Sequence, residues 1–383
     1  MKTRTRWTVA IFSFVACHGV VSQTRGPLLA SFERSFGVSQ SLLGAVAPAA
    51  TVGLLLAVLL LGMNAGRVRV RRALLVGVGL TVCSLASLAL VQSYWVLVGS
   101  FLLQGLGIGA VRALDRPLLG HLYPDARGRL FNLYALTWAV GATVGPLFVN
   151  WVLSVTDWRM TFVFLLLPLL PVVVLLWRAT PPREMRNEQN ISLAAVRELL
   201  SRPAVLGMAT ALVLSGSIEG TMFAWFAYYA GEFVPRTRAN VLLSAFLVTY
   251  IPARLLYSHL CDRLAPLTLV LGLAVVGVPV TALAFTARSW VVLAAGALAL
   301  GFVVAGFFPT LSAFGIDSAA EYSGPVNAIA TGANYVGITA APLVVGVVAE
   351  RVDIVTGMRL LVPAMVGLVV VVATTRWRLA RPA

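Results

Sequence analysis

The residues able to do chemistry are few in this chain, and most of them stand inside long apolar runs. Glu219 lies about fifteen residues into one such run. Arg25, Arg112, Asp115 and Arg116 lie in others. A charge at the centre of a bilayer costs about 2.5–3.5 kcal/mol on insertion scales, so such a group faces a partner or a cavity. A carboxyl withdrawn from water, as at Glu219 or Asp115, suits the gain and loss of a proton. Arginine presents a planar fork that matches carboxylate or phosphate, so Arg25 and Arg112 point to an anionic solute. Internal pairing is the competing reading. Arg112 and Asp115 stand three apart on a helix and can neutralise each other, and Arg116 can extend to the membrane edge. Asn327 and Asn334 are two helical turns apart and share a face. With Tyr335, Asn132, Trp138 and Trp225 they offer the hydrogen bonds and ring faces that position a small solute, or that bind helix to helix. Gln23 is an uncharged polar residue in the same run as Arg25. His18 reads as a packed histidine, with a proton-relay role as the alternative.

Enzymatic chemistry has no foothold. The chain contains no Gly-x-Ser-x-Gly, His-Glu-x-x-His or phosphate-binding Gly-Lys-Ser/Thr element. Its histidines are His18, His121 and His259, and its cysteines Cys17, Cys83 and Cys261 lack metal-ligand spacing. No metal or cofactor is expected.

The elements that hold these residues follow from composition. The 383 residues are 59% hydrophobic and 11% charged, with mean hydropathy +0.91. A soluble domain carries about 25% charged residues, so lipid must replace water over much of the surface. With roughly 20 apolar residues per span, the runs are Trp7–Ala30, Gln40–Met63, Arg72–Val91, Tyr94–Leu119, Gly128–Ser154, Trp158–Trp177, Pro203–Ala230, Ala239–His259, Pro266–Thr286, Trp290–Phe314, Tyr322–Ala349 and Val355–Thr375. The basic N-terminus resembles a signal peptide, but no small-x-small cleavage site follows it cleanly, and it reads as an uncleaved first span.

The formal charge of +15 sits in short loops and is almost all arginine, Lys2 being the only lysine. This distribution speaks against nucleic acid as a partner and fixes a topology instead. With the N-terminus in the cytoplasm, Lys2, Arg4, Arg6, Arg67, Arg69, Arg71, Arg72, Arg127, Arg129, Arg178, Arg183, Arg186, Arg197, Arg202, Arg263, Arg376, Arg378 and Arg381 fall inside. Arg34, Arg159, Arg236, Arg238, Arg288, Arg351 and Arg359 fall outside. The bias follows the positive-inside rule and places both termini in the cytoplasm. The one long polar break, Arg178 to Arg202, contains Pro181 and Pro182 and then Ile191–Leu200, a candidate amphipathic surface helix. It divides the chain into an N-terminal bundle of residues 1–178, a linker of 179–202 and a C-terminal bundle of 203–383.

The two bundles repeat each other. Arg67 and Arg263, which follow the second and eighth spans, stand about 196 residues apart. Trp95 with Trp290, Asn132 with Asn327, and Gly141, Gly145 and Pro146 with Gly337, Ala341 and Pro342 recur at nearly the same offset, which makes Gln23 the mate of Glu219. Duplicated parallel halves are a transporter architecture.

Several motifs resemble the major facilitator superfamily. Gly62-Met-Asn-Ala-Gly-Arg67-Val-Arg-Val-Arg71-Arg72 is similar to its loop between spans two and three, Gly-x-x-x-Asp-Arg-x-Gly-Arg-Arg/Lys, with Gly66 at the Asp position and Arg69 at the second Gly. Its second-half counterpart runs from Ala253-Arg254 to Asp262-Arg263 and keeps the Asp-Arg pair. The resemblance implies that Arg67, Asp262 and Arg263 latch a closed state through charge contacts. Gln104-Gly-Leu-Gly-Ile-Gly resembles the family's Arg-x-x-Gln-Gly-x-Gly element, with Phe101 in place of the Arg. Asp157-Trp158-Arg159-Met-Thr-Phe162 resembles its entry to span six, and Phe308-Pro309-Thr its span-ten element. Together these motifs cover nearly the whole chain.

Gly216-Ser-Ile-Glu219 with Trp225, Tyr228 and Tyr229 resembles span seven of the fucose/glucose/galactose–proton symporter family. The acidic positions of that family's spans one and four fall near Gly26 and Arg112 here, which argues against sugar symport by the same residues. Gly141-x-x-x-Gly145-Pro146 resembles the antiporter signature of drug exporters.

The expected fold is therefore an all-α membrane fold of about twelve spans in two pseudo-symmetric six-helix bundles, the major facilitator fold. The expected function is secondary active transport of a small solute, an organic anion or sugar-like metabolite, by halves that rock about a site near the midplane of the bilayer. Proton coupling falls to Glu219 and Asp115, and solute contacts to Gln23, Arg25, Arg112, Trp138, Trp225, Asn327 and Asn334. The expected setting is the cell membrane, as a monomer. Drug or metabolite efflux by antiport is the alternative within the class, and a non-transporting membrane sensor or scaffold the alternative outside it.

Overall fold

The computed structural model describes residues 3–63, 69–123, 127–179, 193–261, 263–286 and 289–380. Eleven helices among these residues are long and apolar enough to cross a membrane, and one bent pair makes a twelfth if it counts as a single span. We number the spans α1 (Arg4–Ser22 with Arg25–Phe36), α2 (Gln40–Leu61), α3 (Val70–Leu90), α4 (Tyr94–Leu122), α5 (Arg129–Val155) and α6 (Met160–Trp177). After them come α7 (Pro203–Ala230), α8 (Arg236–Cys261), α9 (Pro266–Ala284), α10 (Trp290–Ser318), α11 (Gly324–Arg351) and α12 (Ile354–Ala380). The polar break carries the short helix Leu193–Ser201, with Leu199 buried and Arg197 and Glu198 exposed.

The chain forms two compact units, Met1–Val38 with Ala45–Asn190, and Ser39–Gly44 with Ile191–Ala383. Within the second unit Gln40 Nε2 donates to the Tyr228 hydroxyl at 3.0 Å, and the Ser41 backbone N–H donates to Glu350 at 3.0 Å.

Each unit is packed by the same pattern. In the first, α4 packs on α2 and α3, and α1 packs on α5; in the second, α10 packs on α8 and α9, and α7 packs on α11. Close approach needs glycine at matched places. A Cβ on Gly105 would run into the carbonyl oxygen of Ala50, and one on Gly301 into that of Phe246. Both the glycines and their targets differ by 196 positions (301 − 105 and 246 − 50). Ser93 and Ser289 cap the first turns of α4 and α10 in the same way, each accepting from the N–H three residues on at 3.4 Å. Arg159 and Arg359 each donate to the carbonyl that ends the third span of their own unit, Val91 at 3.1 Å and Phe285 at 3.3 Å. The fold is all-α, of the two-bundle type the sequence repeat implied.

Proline sets the irregularities. It lacks the N–H that would bond the carbonyl four residues earlier, and its ring crowds that carbonyl. Accordingly α1 breaks at Gln23 and Thr24 ahead of Pro27, and bends by 46° there. α4 breaks at Ala113 and Leu114 ahead of Pro117, α8 at Thr249 ahead of Pro252, and α10 at Ala305 and Gly306 ahead of Pro309. Pro146, Pro279 and Pro342 instead sit inside continuous helices. The first span thus runs past the expected Ala30 to Phe36, where Gly37 closes it with φ 61°.

Candidate functional site

The breaks place the charged residues. In the first unit, the break in α1 leaves Gln23 and Thr24 buried and makes Arg25 the first residue of the second piece. Thr24 satisfies its hydroxyl on the Val21 carbonyl at 2.9 Å. Arg25 Nη2 donates to Gln104 Oε1 on α4 at 2.8 Å. Its guanidinium carbon lies 5.5 Å from the centre of the Phe101 ring, within cation–π range. Phe101 occupies the position where the family pattern has arginine, so a guanidinium supplied by α1 lies over the residue that replaced one on α4.

Around this pair several polar atoms are buried without a protein partner: Arg25 Nε, Gln104 Nε2, Gln23 Oε1 and His18 Nδ1. Gln104 is fully buried, Gln23 is 2% exposed and His18 8%. Each such atom left dry costs about 1–3 kcal/mol, and native interiors carry few of them. These unmatched donors and acceptors are concentrated on α1 and α4. The charges of Arg25 and Arg112 both act on His18.

The break in α4 ends one piece at Arg112 and starts the next at Asp115. A carboxylate in the first turn is favoured by the helix dipole. Asp115 is fully buried, accepts the Arg116 N–H at 2.6 Å and accepts the hydroxyl of Tyr134 on α5. Arg112 and Arg116 lie 5.7 Å and 5.1 Å from the centre of the same Tyr134 ring. This arrangement clamps α4 to α5. The competing reading, in which Asp115 neutralises Arg112, is compatible with this arrangement, since the charge of Arg112 acts on Asp115 across the break. Trp138, one turn beyond Tyr134, is half-buried.

In the second unit, α7 is unbroken through Glu219. Tyr250 opens the second piece of α8, and its hydroxyl donates to Glu219 Oε1 at 3.0 Å. Asn334 of α11 bonds the same carboxylate through its side chain. Arg254, four residues after Tyr250, places its guanidinium 5.3 Å from the centre of the Tyr250 ring. Tyr250 and Arg254 did not emerge from the sequence as site residues. The local signal for them is an arginine inside the eighth apolar run with a tyrosine one turn before it, a pattern that overlaps the motif leading to Asp262 and Arg263.

Trp225 is fully buried and donates its indole N–H to the Pro342 carbonyl at 3.0 Å, so it fastens α7 to α11. Of the asparagine pair, Asn334 is buried and Asn327 exposed. Asn132 is exposed too. Of the latch residues, Arg67 and Asp262 lie outside the described residues, and Arg263 is exposed in the turn after α8. Arg71, from the same loop motif as Arg67, binds within its own unit: Nε donates to the Leu176 carbonyl at 3.4 Å and Nη2 to that of Trp177. The C-terminal carbonyls of α6 thus supply the negative partner for this arginine. The glycines of the exporter-like motif serve packing, since a Cβ on Gly141 would strike the Ala16 carbonyl and one on Gly145 the Val20 carbonyl.

Comparison with known proteins agrees with this architecture. The sequence profile described as Major Facilitator Superfamily matches residues 11–234 and 228–383. An uncharacterized MFS-type transporter of Mycobacterium tuberculosis is 28% identical over 201 residues, covering 50% of this chain and 26% of that protein. The chain therefore spans about a quarter of the length of the curated relatives it matches. Among solved structures, a mutant of the nucleoside transporter NupG superposes with a TM-score of 0.83 at 14% identity, covering 98% of this chain and 100% of that one. A D-xylose–proton symporter gives 0.77 at 15% identity, covering 98% and 97%. At such identities these likenesses speak for the fold alone, but the profile match spans nearly the whole sequence. The chain belongs to the Major Facilitator Superfamily, a family of membrane transporters rather than enzymes.

Proposed function

We propose that the chain is a secondary active transporter that carries a small organic anion, or a sugar-like metabolite bearing an anionic group, by alternating access coupled to a proton. The two six-helix halves, residues 1–178 and 203–383, act as the alternating parts. Both termini face the cytoplasm of the host cell, as the arginine bias supports, and the working unit is the monomer.

The observation that carries this reading is the Arg25–Gln104 pair. It is a half-buried guanidinium within a membrane bundle, bonded to a neutral amide and not to a carboxylate. Its Nε and the Gln104 amide nitrogen remain to be matched. Such a cation is costly to retain for packing alone, whereas it supplies the forked donor that an anionic group needs. Arg112 adds positive charge to the same unit. Glu219, held by neutral Tyr250 and Asn334, is our assignment for the proton carrier, and Asp115 for the clamp between α4 and α5.

Proteoliposomes enclosing a pH-sensitive dye test the coupling. Lactate, gluconate or glucuronate added outside is expected to acidify the interior through the wild-type protein and not through Glu219→Gln. Proton movement with none of these anions, in vesicles that retain folded protein, would contradict the proposal.

A further inference from the structure

In the second unit, Glu219, Tyr250, Arg254 and Asn334 form a cluster from three helices. The Tyr250 hydroxyl and the Asn334 side chain both bond the Glu219 carboxylate. Arg254 stands on the same face of α8 as Tyr250, over its ring, and its charge acts on Glu219. Two polar atoms of the cluster are buried without a protein partner, the donor Arg254 Nε and the acceptor Asn334 Oδ1. Tyr250 is 1% exposed and Asn334 7%.

The charges facing Glu219 are few. α8 presents Tyr250 and Arg254, and α11 presents the uncharged Asn334; among the described residues α10 and α12 present no titratable group to it. With Glu219 ionised, Arg254 and Glu219 cancel. An anion brought to Arg254 then meets repulsion from the carboxylate along with attraction from the guanidinium. One proton on Glu219 removes the repulsion and leaves the cluster with a net positive charge. Anion and proton therefore favour each other, and the effect is reciprocal by linkage. The neutral partners suit both states. The Asn334 amide donates to an ionised carboxylate and, after a half-turn, offers Oδ1 to a protonated one; a tyrosine hydroxyl can likewise donate or accept.

We propose that Arg254, with Tyr250 and Asn334, forms a solute-binding point in the second unit that takes an organic carboxylate together with one proton on Glu219. This rests on the reading of Glu219 as the proton carrier, and it is independent of Arg25. It makes anion and proton travel in the same direction.

Thermal-shift titration of the detergent-purified full chain with acetate, lactate and gluconate tests it, at about pH 5.5 and about pH 7.5. The wild type is expected to be half-stabilised at a lower carboxylate concentration at the acid pH, by up to the about hundredfold that linkage to one proton allows across two pH units. Glu219→Gln should bind with no pH dependence, at the acid-side affinity. Arg254→Gln should lose both the stabilisation and its pH dependence, while Arg254→Lys keeps the pH dependence with weaker binding, which separates loss of charge from loss of fold. Equal affinity at both pH values in the wild type, wild-type behaviour in Arg254→Gln, or no stabilisation by any of the three carboxylates overturns the proposal. Arg25→Gln distinguishes the two readings. Weaker binding with the pH dependence kept agrees with both, whereas wild-type affinity with the pH dependence kept leaves the second-unit site and overturns the assignment of Arg25. Loss of the shift in Arg25→Gln while Arg254→Gln keeps it overturns the second-unit site.

Discussion

Replacing Gln104 by Glu separates recognition from architecture in the first unit. Gln104 Oε1 lies 2.8 Å from Arg25 Nη2, so a carboxylate there would turn a charge–amide bond into an ion pair without changing side-chain size. Opposite charges about 4 Å apart attract by about 4 kcal/mol at an effective dielectric of 20. Most of that is offset by withdrawing a second charge from water. The fold should therefore keep its stability to within about 1 kcal/mol. Recognition should not survive, because a solute anion would meet a neutralised guanidinium and lose a charge-assisted hydrogen bond of about 1.5–3 kcal/mol. At 1.4 kcal/mol per factor of ten, that is about a ten- to hundredfold loss of affinity. Calorimetric binding of gluconate, paired with thermal unfolding in the same detergent, measures both quantities. A Gln104→Glu protein that unfolds like the wild type and binds gluconate equally well would refute the role given to Arg25. Gln104→Leu, which removes the amide, should weaken binding less, because the guanidinium remains charged.

Two further outcomes follow from packing and surface charge. Gly216→Ala would push a Cβ into the Asn334 backbone carbonyl and to 3.0 Å from its Oδ1; overpacking of this kind costs about 1–3 kcal/mol, so the thermal midpoint should fall. Gly272→Ala on α9, where the added methyl meets nothing within 4 Å, should leave it unchanged or higher, and the reverse order would contradict the packing. At the surface, Arg202 holds the Glu321 carboxyl below its ordinary value through a hydrogen bond and ion pair of 2.8 Å. A carboxyl lowered on folding stabilises above the ordinary glutamate value of about 4.3 and loses that contribution as the pH falls. The wild-type and Glu321→Gln unfolding curves should therefore converge as the pH drops toward about 3.5, and a gap that widens with acid would rule this out. Because Glu321 is exposed, the gap at neutral pH should be small.

The spans were legible because apolar runs of this length admit few other folds, and the halves because one offset recurs at arginine, tryptophan, asparagine, glycine and proline pairs. The breaks were harder to read. Pro27, Pro117, Pro252 and Pro309 break their helices, while Pro146, Pro279 and Pro342 do not, so proline alone does not say where a span will part. The site was legible in residue type and hardly at all in partnership. Arg25 and Glu219 stand out as charges in apolar runs, but nothing local indicates that Arg25 meets Gln104 across some eighty residues of chain. Trp225 looked like a ring for a solute; its indole N–H is taken by a backbone carbonyl that only the α7–α11 contact brings near. Arg254 was hidden by a motif that drew attention to the loop beyond it.

Recognition of an anionic solute turns on whether Arg25 reads negative charge. Binding of gluconate and of glucose to the purified protein, each measured for the wild type and for Arg25→Ala, tests this most directly. Gluconate should bind, glucose should bind far more weakly, and Arg25→Ala should cut gluconate affinity at least about tenfold, the loss of one charge-assisted hydrogen bond. Glucose binding that is unaffected by Arg25→Ala and by Arg112→Ala would contradict anion recognition by these arginines.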